Sequence, residues 1–318
     1  MNSIKIGFIG TGHIANSMSK AIDNIDGITK YAVASRNIEK AQIFANAHNF
    51  EKSYSSYEDL LKDRNVELIY IATPVSHHYK HVKMSLNYGK HVLCEKTFTS
   101  NYKEAEELIN IAKSRRLLLT EAIWTRYMPS RYKLESFIDS GIVGVPKLLE
   151  ANLGYILTNK PRLFNPNLSG GALYELGVYP LNFMMTALKN YKITGITPIS
   201  IVNKEGIDLQ SSITFKYENE IIATILYSII SMTDSRGVIS CTNGYIVVEN
   251  INNPQSISVF SQERILLDQY IKNDNIKGYE YQLCSIIKSI YNNQIECTDM
   301  THSEILKEMK IIDFIKNN

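Results

Sequence analysis

The first 120 residues of the chain alternate short apolar runs with longer amphipathic segments, and this alternation constrains the fold most strongly. It is typical of βαβ units, in which helices cover a sheet of parallel strands. The pattern predicts six strands, at residues 5–9, 30–35, 52–54, 68–73, 91–94 and 117–120. It also predicts five helices, at residues 14–22, 38–48, 57–62, 77–88 and 102–114. We therefore expect an α/β fold with a doubly wound parallel sheet.

A glycine motif stands between the first strand and the first helix, where residues 10–15 read G-T-G-H-I-A. In a G-x-G-x-x-A pattern the glycines permit a tight turn and let backbone N–H groups approach a pyrophosphate at the helix N-terminus. Its position at the start of the βαβ series favours dinucleotide binding over a plain strand-to-helix turn. The candidate cofactor-binding residues here are Gly10, Thr11, Gly12, His13 and Ile14.

The end of the second strand bears on which dinucleotide would bind. An NAD site usually has an acidic side chain there for the ribose 2′-hydroxyl, but residues 32–37 read A-V-A-S-R-N. Ser35 and Arg36 suit a 2′-phosphate, since a guanidinium forms charge-assisted hydrogen bonds with it. We expect NADP, with NAD possible. The alternative is that Arg36 lies in solvent or stacks on adenine without discriminating.

Beyond residue 121 the pattern changes. A helix is expected at residues 131–139, a strand at 147–157, and a helix from the pair Gly170-Gly171 to about residue 188. Strand-like runs follow without crossover helices, at residues 211–217, 221–231, 238–241, 245–249 and 256–260, before helices at 279–291 and 303–315. These runs predict an α+β domain with a mainly antiparallel open sheet. We divide the chain into a Rossmann domain, residues 1–121, and a substrate-binding and oligomerisation domain, residues 122–318.

Composition excludes several functional classes. The chain has 34 Lys and Arg residues against 32 Asp and Glu residues, so it lacks the basic excess that nucleic-acid binding requires. Its four cysteines have no CxxC spacing, which argues against a disulfide framework and predicts a cytoplasmic location. We expect no signal peptide, because no charged region precedes the apolar residues 4–9. The most apolar stretch, residues 221–230, is about half a bilayer span. We expect neither nucleic acid nor membrane as a partner.

Four further segments, taken with the glycine motif and in this order, resemble the glucose-fructose oxidoreductase / inositol dehydrogenase (Gfo/Idh/MocA) family. They are I-A-T-P-V-S-H-H-Y at 71–79, G-K-H-V-L-C-E-K-T at 89–97, E-A-I-W-T-R-Y-M-P at 121–129 and G-G-A-L-Y-E-L-G-V-Y-P at 170–180. The resemblance covers both expected domains. It implies a dinucleotide-dependent oxidoreductase in which these segments line the cofactor and the substrate.

The resemblance implies that Lys96 and Tyr179 form the catalytic acid/base unit. Lys96 matches the family's Glu-Lys pair at the end of the fifth strand. Tyr179 stands where many relatives have histidine, but a subgroup similar to dihydrodiol dehydrogenase has tyrosine there. A phenol can donate a proton to a developing alkoxide, and an adjacent ammonium would assist it. The alternatives are a solvated lysine and a core tyrosine.

The same resemblance assigns roles to other residues. The remaining cofactor-binding candidates are Thr73, Pro74, His78, Glu95, Trp124 and Arg126, with Lys96 shared. The substrate-binding candidates are Arg162, Glu175 and Asn182, together with Tyr179. For Trp124, Arg126 and Arg162 the alternative is a role in packing and surface salt bridges. Two positions depart from the family pattern. Thr97 replaces the usual proline, which puts the turn there, and any cis bond in it, in doubt. Glu175 replaces an aspartate.

Three histidines invite a metal hypothesis, because His77 and His81 are four residues apart on one expected helix face beside His78. No HExxH pattern or matching carboxylate accompanies them, so we expect no metal.

The function implied is hydride transfer between a nicotinamide and a hydroxyl or carbonyl carbon of a sugar, cyclitol or cyclic diol. Two alternatives stay open: a non-catalytic NADP-binding regulatory protein, and a lyase or glycosidase that recycles its cofactor. Residues 221–230 are apolar at nearly consecutive positions, which suggests that both faces of that strand need cover. We therefore predict a homodimer or a higher homo-oligomer.

Overall fold

The computed structural model describes residues 3–273 and 276–318. The chain forms two compact units, each made of two segments. Unit 1 comprises Met1–Tyr127 and Ile276–Lys310, and unit 2 comprises Met128–Asn275 and Ile311–Asn318. The end of the first segment lies close to the boundary expected at residue 121. The later segment, residues 276–310, also belongs to unit 1.

Unit 1 contains the parallel sheet that the alternation predicts. Its strands are β1 (Ile4–Ile9), β2 (Ile28–Ala34), β3 (Lys52–Tyr54), β4 (Leu68–Ile71), β5 (His91–Glu95) and β6 (Leu119–Ala122). They pair in parallel in the order β3-β2-β1-β4-β5-β6. The order reverses at β1, so the carboxyl ends of β1 and β4 flank the switch point at which such sheets bind ligands. The doubly wound fold is confirmed.

Helices connect these strands. They are α1 (His13–Ile22), α2 (Ile38–His48), α3 (Tyr57–Lys62), α4 (Val75–Asn87) and α5 (Tyr102–Arg115). Side-chain caps explain where three of them begin: Asn37, Ser56 and Asn101 each accept a hydrogen bond from the backbone N–H three residues later. The second segment adds α8 (Tyr279–Tyr291) and most of α9 (His302–Lys316), whose last residues, from Ile311, belong to unit 2.

Unit 2 is built on an open sheet of eight strands. After α6 (Pro129–Asp139) and β7 (Pro146–Gly154), a π-helical turn (Leu173–Gly177) leads directly into α7 (Val178–Ala187). The other strands are β8 (Ile193–Val202), β9 (Asp208–Tyr217), β10 (Ile222–Ser228), β11 (Gly237–Cys241), β12 (Gly244–Glu249), β13 (Ser256–Ser261) and β14 (Leu266–Ile271). Their order is β14-β13-β12-β11-β7-β10-β9-β8, antiparallel except for the pair β7–β10. The mainly antiparallel α+β domain is confirmed.

The sequence pattern did not predict β8 or β14. Both lie at the edges of the sheet, and most of their residues are exposed. An edge strand that buries few side chains has little hydrophobic periodicity by which to recognise it.

One face of this sheet is covered within unit 2 and the other is open. α7 packs against β7, β10 and β11. Along β10, Ala223, Ile225 and Tyr227 are buried, whereas Ile222 and Leu226 are 48% and 42% exposed. The strand therefore alternates in burial within the single chain, and the cover expected for its second face, a further subunit, stays a prediction. The outward positions happen to be apolar as well, which conceals the alternation in the sequence.

In the part of the chain that the structure describes, no helix combines the length and the apolar character needed to cross a bilayer.

Candidate active site

The glycine motif forms a tight connection between β1 and α1. Gly10 has a φ of +107°, and a Cβ there would lie 2.8 Å from the carbonyl oxygen of Ala72, so only glycine fits. At Gly12, the N-cap of α1, a Cβ would meet no atom within 4 Å. Among the described residues no side chain caps this helix, and its first turn contains no acidic residue. The N-terminus of α1 is thus without a side-chain cap and has open space beside Gly12, as an anion-binding turn requires.

The residues directly after β2, Ser35 and Arg36, form a polar edge of unit 1, which we call the polar rim. Ser35 is partly exposed, Arg36 is exposed, and no acidic side chain occurs between Ala32 and Asn37. Burial raises the pKa of the Tyr57 hydroxyl, and the nearby positive charge of Arg36 acts in the opposite direction. This rim combines a cation with hydroxyl groups at the end of β2, where a Rossmann fold places the adenosine ribose.

The turn after β4 is braced by His78. Its Nε2 lies 2.7 Å from the carbonyl oxygen of Thr73, and its Nδ1 lies 2.9 Å from that of Thr97. The ring is buried, and burial lowers its pKa. His78 therefore ties the loop after β4 to the loop after β5, and both of its nitrogens face backbone. Pro74, at the N-cap of α4, is exposed.

The other two histidines of this helix make local contacts. The Nδ1 of His81 lies 3.0 Å from the Thr73 hydroxyl, and the Nδ1 of His77 lies 2.9 Å from the Ser76 hydroxyl. Burial, followed by the charges of His77 and His78, lowers the pKa of His81 to about 4. Within residues 3–273 and 276–318, no group of three or more His, Cys, Asp or Glu side chains is arranged to hold a metal ion.

Lys96 follows directly after β5 and is partly exposed, whereas Glu95 is buried. One oxygen of the Glu95 carboxylate accepts a hydrogen bond of 2.5 Å from Tyr70 in β4. The other accepts from the backbone N–H of Lys96 at 3.2 Å. The peptide bond between Lys96 and Thr97 is cis, although proline is absent. The backbone at the lysine is thus held from β4 as well as from β5.

The segment after β6 is buried and aromatic. Trp124 stacks on Tyr279 of α8, with ring centroids 5.1 Å apart and an interplanar angle of 25°. Arg126 is almost fully buried and forms an ion pair with Glu304 of α9. Tyr279 and Glu304 lie more than 150 residues away in the sequence, which contains no signal that would pair them with this segment.

The substrate candidates lie in unit 2. Arg162, which is half exposed, pairs with Glu175 of the π-helical turn at 2.7 Å. Tyr179 and Asn182 are buried in α7, where the Nδ2 of Asn182 donates to the carbonyl oxygen of Val178 at 3.0 Å. The Oδ1 of Asn182 is buried, with no hydrogen-bond partner among the described residues. Unit 2 thus brings Arg162 and Glu175 together, while Tyr179 is the second residue of the helix that follows.

Comparison with known proteins gives the family. Residues 4–122 match the oxidoreductase family with an NAD-binding Rossmann fold, and residues 132–247 match the GFO/IDH/MocA C-terminal domain. The chain belongs to the GFO/IDH/MocA oxidoreductase family. The resemblance given by the sequence motifs is confirmed, and unit 1 contains the nicotinamide-dinucleotide domain of an NAD(P)-dependent oxidoreductase.

Several curated relatives are trans-1,2-dihydrobenzene-1,2-diol dehydrogenases. This GFO/IDH/MocA chain is 30% identical to the mouse enzyme over 264 residues, which are 82% of this chain and 79% of that enzyme. It is 36% identical to the pig enzyme over 213 residues, which are 67% of this chain and 64% of that one. These relatives agree with the dihydrodiol dehydrogenase-like subgroup suggested by Tyr179.

Solved structures share the fold. A 3-ketoreductase from Actinomadura kijaniata, crystallised with NADP and TDP-benzene, has a TM-score of 0.90 at 19% identity, with 99% of this chain and 98% of that one covered. A levoglucosan dehydrogenase in complex with NADH and L-sorbose has a TM-score of 0.89 at 15% identity, with 100% and 96% covered. At these identities the likeness concerns the fold of the GFO/IDH/MocA family.

Proposed function

We propose that this enzyme transfers a hydride reversibly between a nicotinamide and a carbon bearing a hydroxyl or carbonyl group, in a sugar, cyclitol or cyclic diol. The observation that carries the proposal is the fixed lysine: Glu95 and Tyr70, both buried, hold the backbone of Lys96 at the end of β5. The end of β5 is next to the switch point, where this fold binds its ligand. The names of the curated relatives and solved structures support diols and sugars as the substrate class.

The residues around β1 fit a dinucleotide. The open space at Gly12 and the uncapped N-terminus of α1 suit a pyrophosphate, which would accept hydrogen bonds from the backbone of residues 11–14. The braced loops of Thr73 and Lys96 would border the nicotinamide. When bound, the nicotinamide supplies or accepts the hydride.

Lys96 and Tyr179 move the proton in this proposal. When a carbonyl is reduced, the Tyr179 phenol donates its proton to the oxygen as the alkoxide develops. The Lys96 ammonium stabilises negative charge on that oxygen and on the phenolate. In the reverse direction, the phenolate accepts the proton of the hydroxyl.

We propose NADP(H) as the preferred cofactor. Arg36 is exposed, has the Tyr57 hydroxyl beside it, and has no carboxylate in the 32–37 segment to repel a phosphate. A 2′-phosphate would pair with the guanidinium and accept from Ser35, whereas the 2′-hydroxyl of NAD lacks the charge.

We further propose that the open face of the unit 2 sheet forms a homo-oligomer interface. The strand register places Leu148, Ile222, Leu226 and Ile199 on this one face. The stacked rings of Tyr245 and Phe260 follow farther along the sheet. Exposed apolar side chains gathered on one uncovered sheet face mark an association surface.

A cofactor and substrate screen tests the reaction. Purified protein is mixed with NADP(H) or NAD(H) and with sugars, cyclitols, dihydrodiols or dicarbonyls, and nicotinamide absorbance is followed. We expect net, substrate-dependent oxidation or reduction of NADP(H). Product formation with an unchanged nicotinamide absorbance would instead indicate a lyase or glycosidase. Tight NADP(H) binding without turnover across the whole screen would favour a regulatory protein.

A further inference from the structure

Asp208 is a buried carboxylate that the sequence motifs do not include. It is the first residue of β9, and its Oδ2 accepts a hydrogen bond of 2.6 Å from the backbone N–H of Leu173. The backbone N–H of Ala172 also favours the charged form of the carboxylate and lowers its pKa, against the larger effect of burial. Asp208 thus reaches across 35 positions of sequence to the start of the π-helical turn.

Gly171, the second glycine before that turn, lies directly against this carboxylate. Gly171 has a φ of +118°, and a Cβ added there would overlap the Oδ1 atom of Asp208. Any side chain at this position would displace the carboxylate or the turn. The conformation of Gly171 and the position of Asp208 therefore depend on each other.

The turn that Asp208 holds carries the substrate candidates. Glu175 lies in it, and Tyr179 is the second residue of α7, which follows without interruption. The first N–H groups of a helix lack intrahelical partners, and among the described residues the flanking Ala172 offers no side-chain cap. Asp208 supplies from β9 the negative charge that a local N-cap would supply.

We propose that Asp208 is a positioning residue for the reaction, which sets Glu175 and Tyr179 by holding the first turn of their helix. This inference rests on the proposed role of Tyr179. Asp208 touches neither the hydride nor the proton.

The groups facing Asp208 give the contact a pH dependence. Burial raises the pKa of Asp208 to about 6, while the N–H groups of the turn and the charge of Lys316 act in the opposite direction. Lys316, in α9, donates to the Tyr174 hydroxyl at 2.6 Å, and Tyr227 of β10 also faces the carboxylate. Below about pH 6 Asp208 is protonated, which relieves the burial of its charge but removes the negative charge from the N–H groups of the turn.

Two variants test the proposal. Asp208→Asn keeps the shape and one acceptor oxygen but has no charge, and Asp208→Ala removes the cap. We expect kcat to fall roughly 10- to 100-fold in Asp208→Ala, because displacement of a catalytic group by a fraction of its hydrogen-bonding distance has effects of this size. NADP(H) affinity should stay unchanged, since the cofactor candidates belong to unit 1.

The pH profile separates positioning from a general loss of stability. In the wild type, kcat should decline below about pH 6. In Asp208→Asn this decline should be absent, and kcat should be low and flat across that range. Asp268→Asn, the same change at an exposed position of β14, is the matched control and should keep the wild-type profile. An undiminished kcat in Asp208→Asn, or a decline identical to that of the wild type, overturns the proposal.

Hydrogen exchange provides a readout that does not need turnover. The amides of residues 172–177 should exchange faster in Asp208→Ala, or in Asp208→Asn if the alanine variant fails to fold. Unchanged exchange there overturns the proposal whatever the activity. If the variant exchanges faster but the wild type turns over no substrate, the proposed reaction is contradicted. The role of Asp208 in holding the turn is then still supported.

Discussion

The hydroxyl of Tyr70 donates a hydrogen bond of 2.5 Å to the carboxylate of Glu95, the residue before Lys96. Burial, together with the Glu95 charge, raises the pKa of Tyr70 well above its usual range, so the phenol stays a donor at every working pH. The pair joins β4 to β5 at the position where the lysine leaves the sheet. Its effect on the reaction is indirect and can be measured.

Tyr70→Phe should lower kcat about 10-fold while NADP(H) binding stays close to that of the wild type. The variant keeps the ring but leaves the buried Glu95 carboxylate without this donor, so the free energy of unfolding should fall by about 1.5–3 kcal/mol. Tyr31→Phe is the control, because the Tyr31 hydroxyl also donates to a carboxylate, that of Asp63, at 3.1 Å. It should change stability without changing kcat. Equal kcat values for the two variants would contradict the role given to Tyr70.

The acid/base pair should behave as a unit. Tyr179→Phe deletes the phenolic proton while keeping the ring, and should lower kcat by ~10²–10⁴-fold with little change in NADP(H) affinity. Lys96→Met should reduce kcat at least as much, because it removes the charge that stabilises the alkoxide. The double variant should be little worse than the poorer single variant. Multiplicative losses would show independent roles, and wild-type turnover of Tyr179→Phe would leave Lys96 as the acid/base candidate.

Cofactor preference should depend on Arg36. In fluorescence titrations the wild type should bind NADP(H) more tightly than NAD(H). Arg36→Ala should weaken NADP(H) binding roughly 10- to 100-fold, the effect of one charge-assisted hydrogen bond, and leave NAD(H) binding unchanged. Arg64→Ala, at another exposed arginine, serves as the control. A preference for NADP(H) that survives Arg36→Ala undiminished would disprove this assignment.

A pair of buried carboxyls should make stability depend on pH. Burial, and then the neighbouring Glu308, raise the pKa of Glu121 well above its usual range. Because the folded pKa is the higher one, Glu121 contributes stability below its unfolded pKa of about 4.3 and loses that contribution as the pH rises. Glu308→Gln should therefore raise Tm more at alkaline pH than at acidic pH. Glu39→Gln, at an exposed position of α2, is the control and should leave the pH dependence of Tm unchanged. An unchanged pH dependence in Glu308→Gln would contradict the coupling between the two buried carboxyls.

Association should depend on the open sheet face. Light scattering at micromolar concentration should give the wild type the mass of a dimer or a larger assembly. Leu226→Asp places a charge at an outward position of β10 and should shift that mass towards the monomer. Ile43→Asp, on the exposed face of α2, should not. A monomeric wild type would rule out this interface.

The features that the sequence predicted well are those that local pattern encodes. Alternating apolar and amphipathic segments gave the six parallel strands, and the glycine motif falls at the switch point between β1 and β4. Element ends were less accurate: the strand expected at residues 147–157 occupies Pro146–Gly154. The helix expected from Gly170 begins as a π-helical turn at Leu173, whose backbone N–H donates to Asp208, a partner 35 positions away that local pattern does not reveal.

Much of the candidate site depends on partners distant in sequence. Tyr70, Tyr279 and Asp208 are not part of any quoted motif, yet each contacts a residue that the motifs identify or the turn that carries one. His78 was identified as a cofactor residue, but nothing local indicates that both of its nitrogens face backbone oxygens. Such tertiary contacts form only in the folded chain, and hydrophobic periodicity carries no information about them.

The two-segment construction of unit 1 bears on how the protein is made. The N–H of Leu119 in β6 donates to the carbonyl oxygen of Ile295, and the ring of His302 approaches the Leu119 carbonyl at 3.0 Å. The edge strand β6 is thus bonded to residues that the ribosome synthesises about 180 positions later. The parallel sheet gains these two contacts only when nearly the whole polypeptide, including all of the open sheet, has been made. A ribosome that stops early would therefore release a β6 edge that lacks both of them.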